Sequence, residues 1–463
     1  MPLILPGNVG SATAATGFDV ANSCRFDGAS SSMKITPGSN MNLLLITWSG
    51  WIKRSGLGTV QSIFAADNAV NSTGTLYFDA NDKLNFQNVS GNADKGLKIT
   101  TRVFRDPSAW YHIVWAWDSA NSTAGDRIKI YVNGVRETVF DSSTNPDVNE
   151  PSQLGESGVA TLIGTYVGED SRFWNGYMAE VVLIDGAALA ADQFGEFDDD
   201  SGIWKPIDVS GLTFGTHGFY LDFEASDNLG NDANGGTDLT ESGLAAIDQS
   251  IDTCTNNFAT MNPLDNFYYN GTFSEGNLKG INGSSREASA TATIAISNGK
   301  WFWEVQPKTN VAPFIGIQQS PSAANTSSGA SMSTNGYGYL KTGKVETSNG
   351  SGGSTVLATY ATYAADDIIG VAVDLDGNKI YFYKNGALQG SGVTITAVGS
   401  TTNGHYLIAF GALGGQDTFE INFGSPPYSE SGGETDGDGF GNFAHAVPSG
   451  YFALCTKNLA EYG

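Results

Sequence analysis

Short apolar stretches that end in turn-forming residues recur along most of this chain. Residues 127–132 alternate apolar and polar side chains and run directly into Asn133-Gly134, and residues 379–384 do the same before Asn385-Gly386. A period of two places successive side chains on opposite faces of a strand, and Asn-Gly favours a tight hairpin because both residues tolerate positive φ. Few stretches show the period of about 3.6 that an amphipathic helix needs. The pattern therefore predicts an all-β chain.

Composition agrees with short strands and excludes several partners. The chain has 59 glycines among 463 residues, and only 15% of its residues are charged. Acidic residues outnumber basic ones 48 to 23, and the net charge of −25 repels nucleic acid and anionic lipid. No apolar run reaches the length of about 18 residues that indicates a membrane span. Residues 1–10 lack the features of a signal peptide, so we expect the protein to remain in the cytoplasm in which it is synthesised.

The three cysteines predict neither a metal site nor an internal disulfide framework. Cys24, Cys254 and Cys455 are far apart and odd in number. We expect free thiols in a reducing cytoplasm, with an intermolecular disulfide in an assembled particle as the alternative.

Turn and strand signals divide the chain into two modules. About ten short strands fall within one stretch of some 175 residues, a spacing typical of antiparallel β-sandwiches. A Gly/Asn/Asp-rich region follows, and a second series of strands comes after it. The predicted organisation is an N-terminal arm (1–20), a first β-sandwich (21–197), an irregular connector (198–265), a second β-sandwich (266–424) and a C-terminal tail (425–463).

The first module resembles the laminin-G/concanavalin-A-like jelly rolls. The resemblance rests on five motifs in the family's order, namely Phe26-Asp27-Gly28, Ser49-Gly50-Trp51-Ile52, Trp110-Tyr111-His112-Ile113-Val114, Ile130-Tyr131-Val132-Asn133-Gly134 and Gly176-Tyr177-Met178-Ala179-Glu180-Val181. It implies a structural calcium held by the Asp of the first motif and an acidic residue beside the last strand. Here those positions give Asp27 and Glu180, although Ala179 stands where an Asp is usual. No other cofactor is predicted.

The second module resembles a SPRY domain. The resemblance is carried by Gly299-Lys300-Trp301-Phe302-Trp303-Glu304-Val305, Gly336-Tyr337-Gly338-Tyr339, the segment 367–374, and Lys379-Ile380-Tyr381-Phe382-Tyr383-Lys384-Asn385-Gly386. The two modules differ in kind, so the sequence does not predict a duplication.

The order of the modules resembles structural proteins of tailed bacteriophages, particularly marine ones. The segment 255–263 between the modules and the ending 450–459 are also similar to such proteins. This resemblance implies a location in the virion, as a tail-fibre or appendage component that binds host surface glycans or neighbouring virion proteins. The alternative is a protein that decorates or cements the capsid or tail and has no ligand of its own. By analogy we expect a homo-oligomer, with a trimer as the assumed state.

The search for catalytic motifs favours a non-enzymatic protein. The four histidines are dispersed, and no Gly-x-Ser-x-Gly motif stands between a strand and a helix. Glycoside hydrolysis needs two carboxylates, and the nearest match is Glu196, Asp198 and Asp200, which follow the last strand of the first module. A solvated acidic turn explains them more simply, so a particle-bound glycan hydrolase is the second alternative.

Two aromatic residues are candidates for sugar binding, which uses exposed rings as stacking platforms. Tyr166 and Trp174 lie in Gly/Asp-rich loops, whereas most other aromatic residues have the alternation of core positions. The alternative for these two loops is packing against a neighbouring subunit.

Overall fold

The chain consists of two compact units that divide between Thr255 and Asn256. The computed structural model describes residues 17–68, 71–168, 171–267, 271–281, 287–309, 313–320, 336–348, 353–413, 417–429 and 433–463. Most of the predicted N-terminal arm, 1–20, lies outside the described residues. Strands account for most of the regular structure in both units.

The first unit is a sandwich of two large sheets. Its strands are β1 (Ser23–Asp27), β2 (Ser32–Ile35), β3 (Leu45–Arg54), β4 (Gln61–Asp67), β5 (Thr73–Phe78), β6 (Lys83–Ser90), β7 (Ala93–Val103), β8 (Trp110–Asp118), β9 (Ile128–Val132), β10 (Val135–Arg136), β11 (Phe140–Thr144), β12 (Ala160–Ile163), β13 (Asn175–Asp185), β14 (Gly195–Phe197), β15 (Trp204–Pro206), β16 (Phe219–Leu221), β17 (Thr240–Ser242) and β18 (Gln249–Ser250). Short 3-10 helices lie at Ala124–Asp126, Ala191–Gln193 and Ala246–Asp248.

One free edge of each sheet lies on the same side of the sandwich. One sheet has the order β10-β9-β8-β3-β13-β1-β18, with β16 beside β13, and the other has the order β11-β7-β6-β5-β4-β12-β2-β17. The pair β9–β10 therefore ends the first sheet, and the pair β7–β11 ends the second. The chain passes from one edge to the other between Arg136 and Phe140.

Aromatic side chains fill the space between the two sheets. Trp48 of β3 lies opposite Trp115 of β8, and its ring stacks on Phe64 of the other sheet at 5.4 Å between centroids. Gly50 is required by this packing, since a Cβ atom there would lie 2.7 Å from the Trp48 ring. The alternation of β3 thus places its large apolar residues in the core, as the sequence predicts.

Part of the segment predicted as a connector (198–265) belongs to the first unit. Its short strands β16, β17 and β18 pair with β13, β2 and β1. Apolar residues between 187 and 220 also cover the outer face of the first sheet, so that β3 is buried on both faces. Gly/Asn/Asp-rich composition indicates many turns, and here the turns return the chain repeatedly to the existing sheets.

The second unit is also a two-sheet sandwich. Its strands are β19 (Met261–Phe267), β20 (Thr272–Ser274), β21 (Lys279–Ile281), β22 (Glu287–Ile296), β23 (Lys300–Pro307), β24 (Pro313–Gln318), β25 (Tyr337–Leu340), β26 (Lys344–Ser348), β27 (Ser354–Thr359), β28 (Ile369–Asp374), β29 (Lys379–Lys384), β30 (Ala387–Thr394), β31 (Tyr406–Leu413), β32 (Thr418–Asn422) and β33 (Phe452–Ala453), with a 3-10 helix at Val398–Ser400 and the α-helix α1 (Thr456–Tyr462). The sheet orders are β19-β22-β31-β24-β25-β26-β27 and β20-β21-β32-β23-β28-β29-β30.

The core of the second unit includes its C-terminal segment. Trp301, Trp303 and Val305 of β23 are buried in one cluster, as their shared parity predicts. Leu454 and Leu459 of the C-terminal segment join this cluster, and β33 pairs with β23 in the parallel direction. All other pairs between the named strands are antiparallel, so the prediction of two tandem, largely antiparallel β-sandwiches is confirmed.

Candidate functional site

An open groove of about 490 Å³ lies between the two free edges of the first unit. The crossing segment from β10 to β11 supplies half of its lining residues, because this segment joins the edge of one sheet to the edge of the other. The lining residues are Lys98, Gly125, Ile128, Arg136, Glu137, Thr138, Val139, Phe140, Ser143 and Asn145. The volume falls within the range of about 300–1,000 Å³ that is usual for small-molecule sites.

Lys98 is the most unusual residue of the groove. It lies on β7 opposite Ser143 of β11, and only 4% of its surface is exposed. Its ammonium group donates hydrogen bonds to Ser143 Oγ at 2.6 Å and to Asn145 Oδ1 at 2.8 Å, and lies 4.9 Å from the centroid of the Phe140 ring. Burial, together with the nearby charge of Arg136, lowers the pKa of Lys98.

Other charged side chains at the groove are paired. Arg136 donates to Asp126 Oδ1 at 2.6 Å, and Arg102 lies 2.9 Å from Glu137 Oε1. Together with Lys98 these groups give three positive and two negative charges, a sum of +1. The groove is therefore locally positive in a chain whose net charge is −25.

Apolar surface lies beside the polar groups of the groove. Phe140 is half-buried and packs against the main core, Ile128 is buried, and Val139 is 64% exposed. An aromatic ring beside hydrogen-bonding groups is the combination by which proteins hold sugars, because a sugar ring has an apolar face and a polar rim. None of these groove residues was singled out as a site residue from the sequence.

The ring of the predicted ligand residue Tyr166 packs against the guanidinium group of Arg172, which is exposed. The guanidinium of Arg172 lies 3.8 Å from the centroid of the Tyr166 ring and 5.8 Å from that of Tyr77. Arg172 has a φ of 57° and has no acidic partner among the described residues, which omit 169–170. Only 8% of Tyr166 is exposed, so the expectation of a freely exposed ring is wrong.

Trp174, the second predicted ligand residue, is fully buried. Its backbone N–H donates to the Gly164 carbonyl at 2.8 Å, which draws the loop back onto the sandwich, and its ring packs near Phe78. The expectation of an exposed ring is wrong for this residue too, because tertiary packing and not loop composition decides its burial.

The two carboxylates implied as calcium ligands do not meet. Asp27 lies opposite Asn175 in the pairing of β1 with β13, and Glu180 follows five positions later on β13. At about 3.3 Å per residue the two positions are roughly 16 Å apart. No cluster of three or more His, Cys, Asp or Glu side chains is placed to hold a metal ion in the part of the chain that the structure describes.

Each of these carboxyl groups has a local role. Burial opposes ionisation of Asp27, but hydrogen bonds from Ser30, Ala29 and Ser31 outweigh burial and lower the pKa of Asp27 to about 2. Glu180 accepts a 2.6 Å hydrogen bond from the Tyr220 hydroxyl, and burial raises the pKa of Glu180 to about 8.

Two of the carboxylates considered for hydrolysis lie at the hairpin β14–β15, with Glu196 exposed in β14 and Asp198 half-buried directly after it. Lys205 Nζ is 3.3 Å from both Glu196 Oε1 and Asp198 Oδ2, and Asp198 also accepts hydrogen bonds from Ser201. The structure thus places an ion-paired hairpin where the sequence favours a solvated acidic turn, because Lys205 of β15 lies between the two carboxylates.

His112 is buried among aromatic rings and has a structural environment. Its Nδ1 accepts a hydrogen bond from Trp204 Nε1 at 3.0 Å, so Nε2 carries the hydrogen that is donated to Ser49 Oγ at 2.9 Å. Burial lowers the pKa of His112 to about 3, and the imidazole is neutral at physiological pH.

Comparisons with known families agree with the two folds. Residues 27–193 match the model of the concanavalin A-like lectin/glucanases superfamily, and residues 300–426 match the SPRY domain model. The chain thus carries a concanavalin A-like jelly roll followed by a SPRY domain, two folds that serve in binding and are typically non-catalytic. No curated protein matches the sequence.

Several solved structures are similar to parts of the chain. The SPRY domain of human HERC1 has a TM-score of 0.28 and 14% identity, over 35% of this chain and 96% of that one. The heptameric SAP-like pentraxin of Limulus polyphemus has a TM-score of 0.29 and 17% identity, over 38% and 82%. A candidate carbohydrate binding protein from Bacteroides ovatus has a TM-score of 0.32 and 17% identity, over 48% and 58%. These scores are too low to support a functional argument.

The described part of the chain contains no helix with the length and apolarity that crossing a bilayer requires.

Proposed function

We propose that this protein binds glycans without cleaving them, and that the groove at the free edges of the jelly roll is the binding site. The groove carries the proposal, because it combines an aromatic ring, several hydrogen-bonding side chains and open access within one volume of about 490 Å³. The match of residues 27–193 to a superfamily of lectins and glucanases supports a saccharide as the ligand class.

The absence of catalysis is part of the proposal. The carboxylates nearest to a hydrolase pattern, Glu196 and Asp198, share Lys205 at the hairpin β14–β15 and do not line the groove. Incubation of each bound glycan with the full chain, followed by chromatography, should leave the glycan intact. Shorter products that disappear in Glu196→Gln and Asp198→Asn variants would contradict a purely binding role.

Glycan-array screening of the full-length chain tests the binding proposal, with calorimetry on the glycans that bind. Phe140→Ala removes the ring that lines the groove and should weaken binding by about fivefold to tenfold. Phe197→Ala is the matched control, since Phe197 is 49% exposed in the same unit but lies outside the groove.

Two results would count against this site. Binding that Phe140→Ala leaves unchanged places the ligand elsewhere, and the Tyr77–Tyr166–Arg172 cluster is then the next candidate, with Arg172→Ala as its test. An array on which no glycan binds contradicts the proposed function as a whole.

We also propose that the protein is a virion component of a tailed bacteriophage, most simply a tail-fibre or appendage protein assembled as a homo-oligomer. The similarity of residues 255–263 and 450–459 to such proteins supports this setting. Mass spectrometry and electron cryomicroscopy of purified particles test it. Density in a tail appendage is expected, whereas copies spread over the head favour capsid decoration, and absence from particles contradicts both.

A further inference from the structure

The ammonium group of Lys98 is a buried cation whose contacts include no carboxylate. An ammonium has three N–H donors, and the acceptors in the described structure are Ser143 Oγ and Asn145 Oδ1. One N–H is therefore left without a protein acceptor in that part of the chain. A buried charge is normally paired with an opposite charge, because removing a single ion from water is costly. The contacts of Lys98 in the described structure include no anion that would neutralise its charge.

The two acceptors of Lys98 are themselves potential donors. Ser143 Oγ uses a lone pair to accept from Lys98, so its own hydroxyl hydrogen remains available. Asn145 directs Oδ1 towards Lys98, so its NH₂ group has both hydrogens available. Both residues are exposed at the groove, and neither makes another side-chain hydrogen bond in the described structure. Lys98 therefore contacts two side chains that each retain unused donors.

The surrounding charges reinforce this donor cluster. Arg136, Arg102 and Lys98 outnumber Asp126 and Glu137 by one positive charge, and the carboxylates of that set are held by the two arginines. Neither carboxylate contacts Lys98. Of the charged residues that line the groove, Lys98 and Arg136 are positive and Glu137 is negative, so an incoming anion would meet a net positive charge beside the desolvated ammonium.

We infer that the groove selects acidic saccharides, and that Lys98, Ser143 and Asn145 bind the anionic substituent of the sugar, a carboxylate or a sulfate ester. This inference rests on the proposed function, which it narrows to a class of glycan.

The geometry suits a charged substituent attached to a ring. A carboxylate or sulfate offers several lone pairs and can accept from all three donors at once, and hydrogen bonds between ionised groups are about twice as strong as neutral ones. The Phe140 ring lies 4.9 Å from the ammonium, so a sugar ring could stack on it while its substituent reaches Lys98.

Matched pairs of oligosaccharides test the selectivity on the full-length chain. Tetragalacturonate is compared with its methyl ester, and a sulfated carrageenan tetrasaccharide with its desulfated form, by calorimetry at low salt. At least one acidic member should bind about tenfold more tightly than its neutral partner, a difference of about 1.4 kcal/mol. The pair that shows this preference identifies the anionic group as carboxylate or sulfate.

Variants of two lysines then locate the preference. Lys98→Met should reduce the acidic preference to less than twofold, whereas Lys129→Met, the same charge change on the outward face of β9, should preserve it. Ser143→Ala combined with Asn145→Ala alters only exposed residues and should reduce the preference severalfold even if Lys98→Met does not fold. Near-ultraviolet circular dichroism verifies the fold of each variant.

The outcomes separate this inference from the proposed function. Equal affinity for acidic and neutral members, with binding still weakened in Phe140→Ala, overturns the selectivity alone. An acidic preference that survives in both Lys98→Met and the double variant also overturns it. Failure of all saccharides to bind contradicts both proposals.

Discussion

Glu180 combines a buried carboxyl group with a left-handed backbone, and both features have a local cause. The residue lies in a β-bulge of β13, between Ala179 and Val182, and has a φ of 50°. Bulges accommodate one extra residue in a strand and change the direction of its side chain. Here the bulge leaves the carboxyl buried against the Tyr220 hydroxyl, so the implied calcium ligand is a protonated acid near neutral pH.

The raised pKa of Glu180 makes the stability of the first unit depend on pH. Because the folded pKa of about 8 exceeds the ordinary value of 4.5, the folded state retains a proton that the unfolded state releases. The contribution of Glu180 is fully present below pH 4.5 and is lost as pH rises to about 8, by up to about 1.4 kcal/mol per pH unit. Glu180→Gln cannot ionise, so the variant lacks this contribution to the pH dependence of stability.

Denaturant unfolding of the full chain between pH 5 and pH 9 measures this effect. The difference in free energy of unfolding between Glu180→Gln and the wild type should grow in favour of the variant as pH rises. Glu196→Gln, at an exposed carboxylate of the same unit, should follow the wild-type curve. Parallel curves for Glu180→Gln and the wild type would mean that the carboxyl ionises normally in the fold.

At the scale of elements, the hairpin β9–β10 shows how a turn signal in the sequence becomes part of the packing. Asn133 and Gly134 both have positive φ, 47° and 77°, as the Asn-Gly pair predicts. Gly134 is also covered by Trp204, and a Cβ atom there would lie 2.3 Å from the indole ring. Gly134 thus allows the left-handed backbone of the turn and leaves space for the ring of Trp204 from β15.

Substitution of Gly134 separates these two requirements. Gly134→Ala should cost about 1 kcal/mol for the left-handed backbone and more for displacing Trp204. Gly58→Ala is the matched control, because Gly58 has a φ of 71° but open space at its Cβ position. Free energies of unfolding from denaturant titration should show a clearly larger loss for Gly134→Ala. Equal losses would show that Trp204 moves aside without cost.

The sequence predicts β9 and the Asn-Gly turn that follows it, but it predicts neither β7 nor the groove. In β7 the buried positions are Gly96, Lys98 and Thr100, whereas Leu97 and Ile99 are only half-buried. Alternation gives the period of a strand but not which parity faces inward, and the hydrophobic parity would be the natural choice. At the free edge of the sandwich the inward face opens onto the groove, so polar residues occupy it. Only the strand order reveals that β7 lies next to the edge strand β11.

The aromatic residues in loops show that composition alone does not predict burial. The Gly and Asp residues around Trp174 predict an exposed ring, yet the ring is fully buried and the backbone of its loop is hydrogen-bonded to Gly164. Local composition predicts a loop correctly and does not predict where the loop packs.

At the scale of the whole chain, each unit is completed by a segment whose sequence looks irregular. In the second unit this segment is the C-terminal one, which the turn-rich composition indicated as a tail. Glu304 of β23, fully buried, accepts hydrogen bonds from the backbone N–H groups of Ala444 and His445 at 2.9 and 3.1 Å. Further along, Asp436 accepts from Ala453 N–H and Asn458 Nδ2, which ties the segment to itself.

Removal of the Glu304 carboxylate should therefore loosen the C-terminal segment more than the sheet. Glu304→Ala leaves two backbone donors without their charged acceptor, at a cost of roughly 2–3 kcal/mol. Hydrogen exchange of the full chain, followed by mass spectrometry, should show faster exchange in residues 443–455 and little change in β24 and β31. Glu346→Ala, on β26 of the same unit, contacts Ser354 and not this segment, and should leave residues 443–455 protected. Unchanged protection in Glu304→Ala would mean that the burial of Leu454 and Leu459 holds the segment without the buried carboxylate, since apolar contacts alone would then exceed the cost of the lost hydrogen bonds.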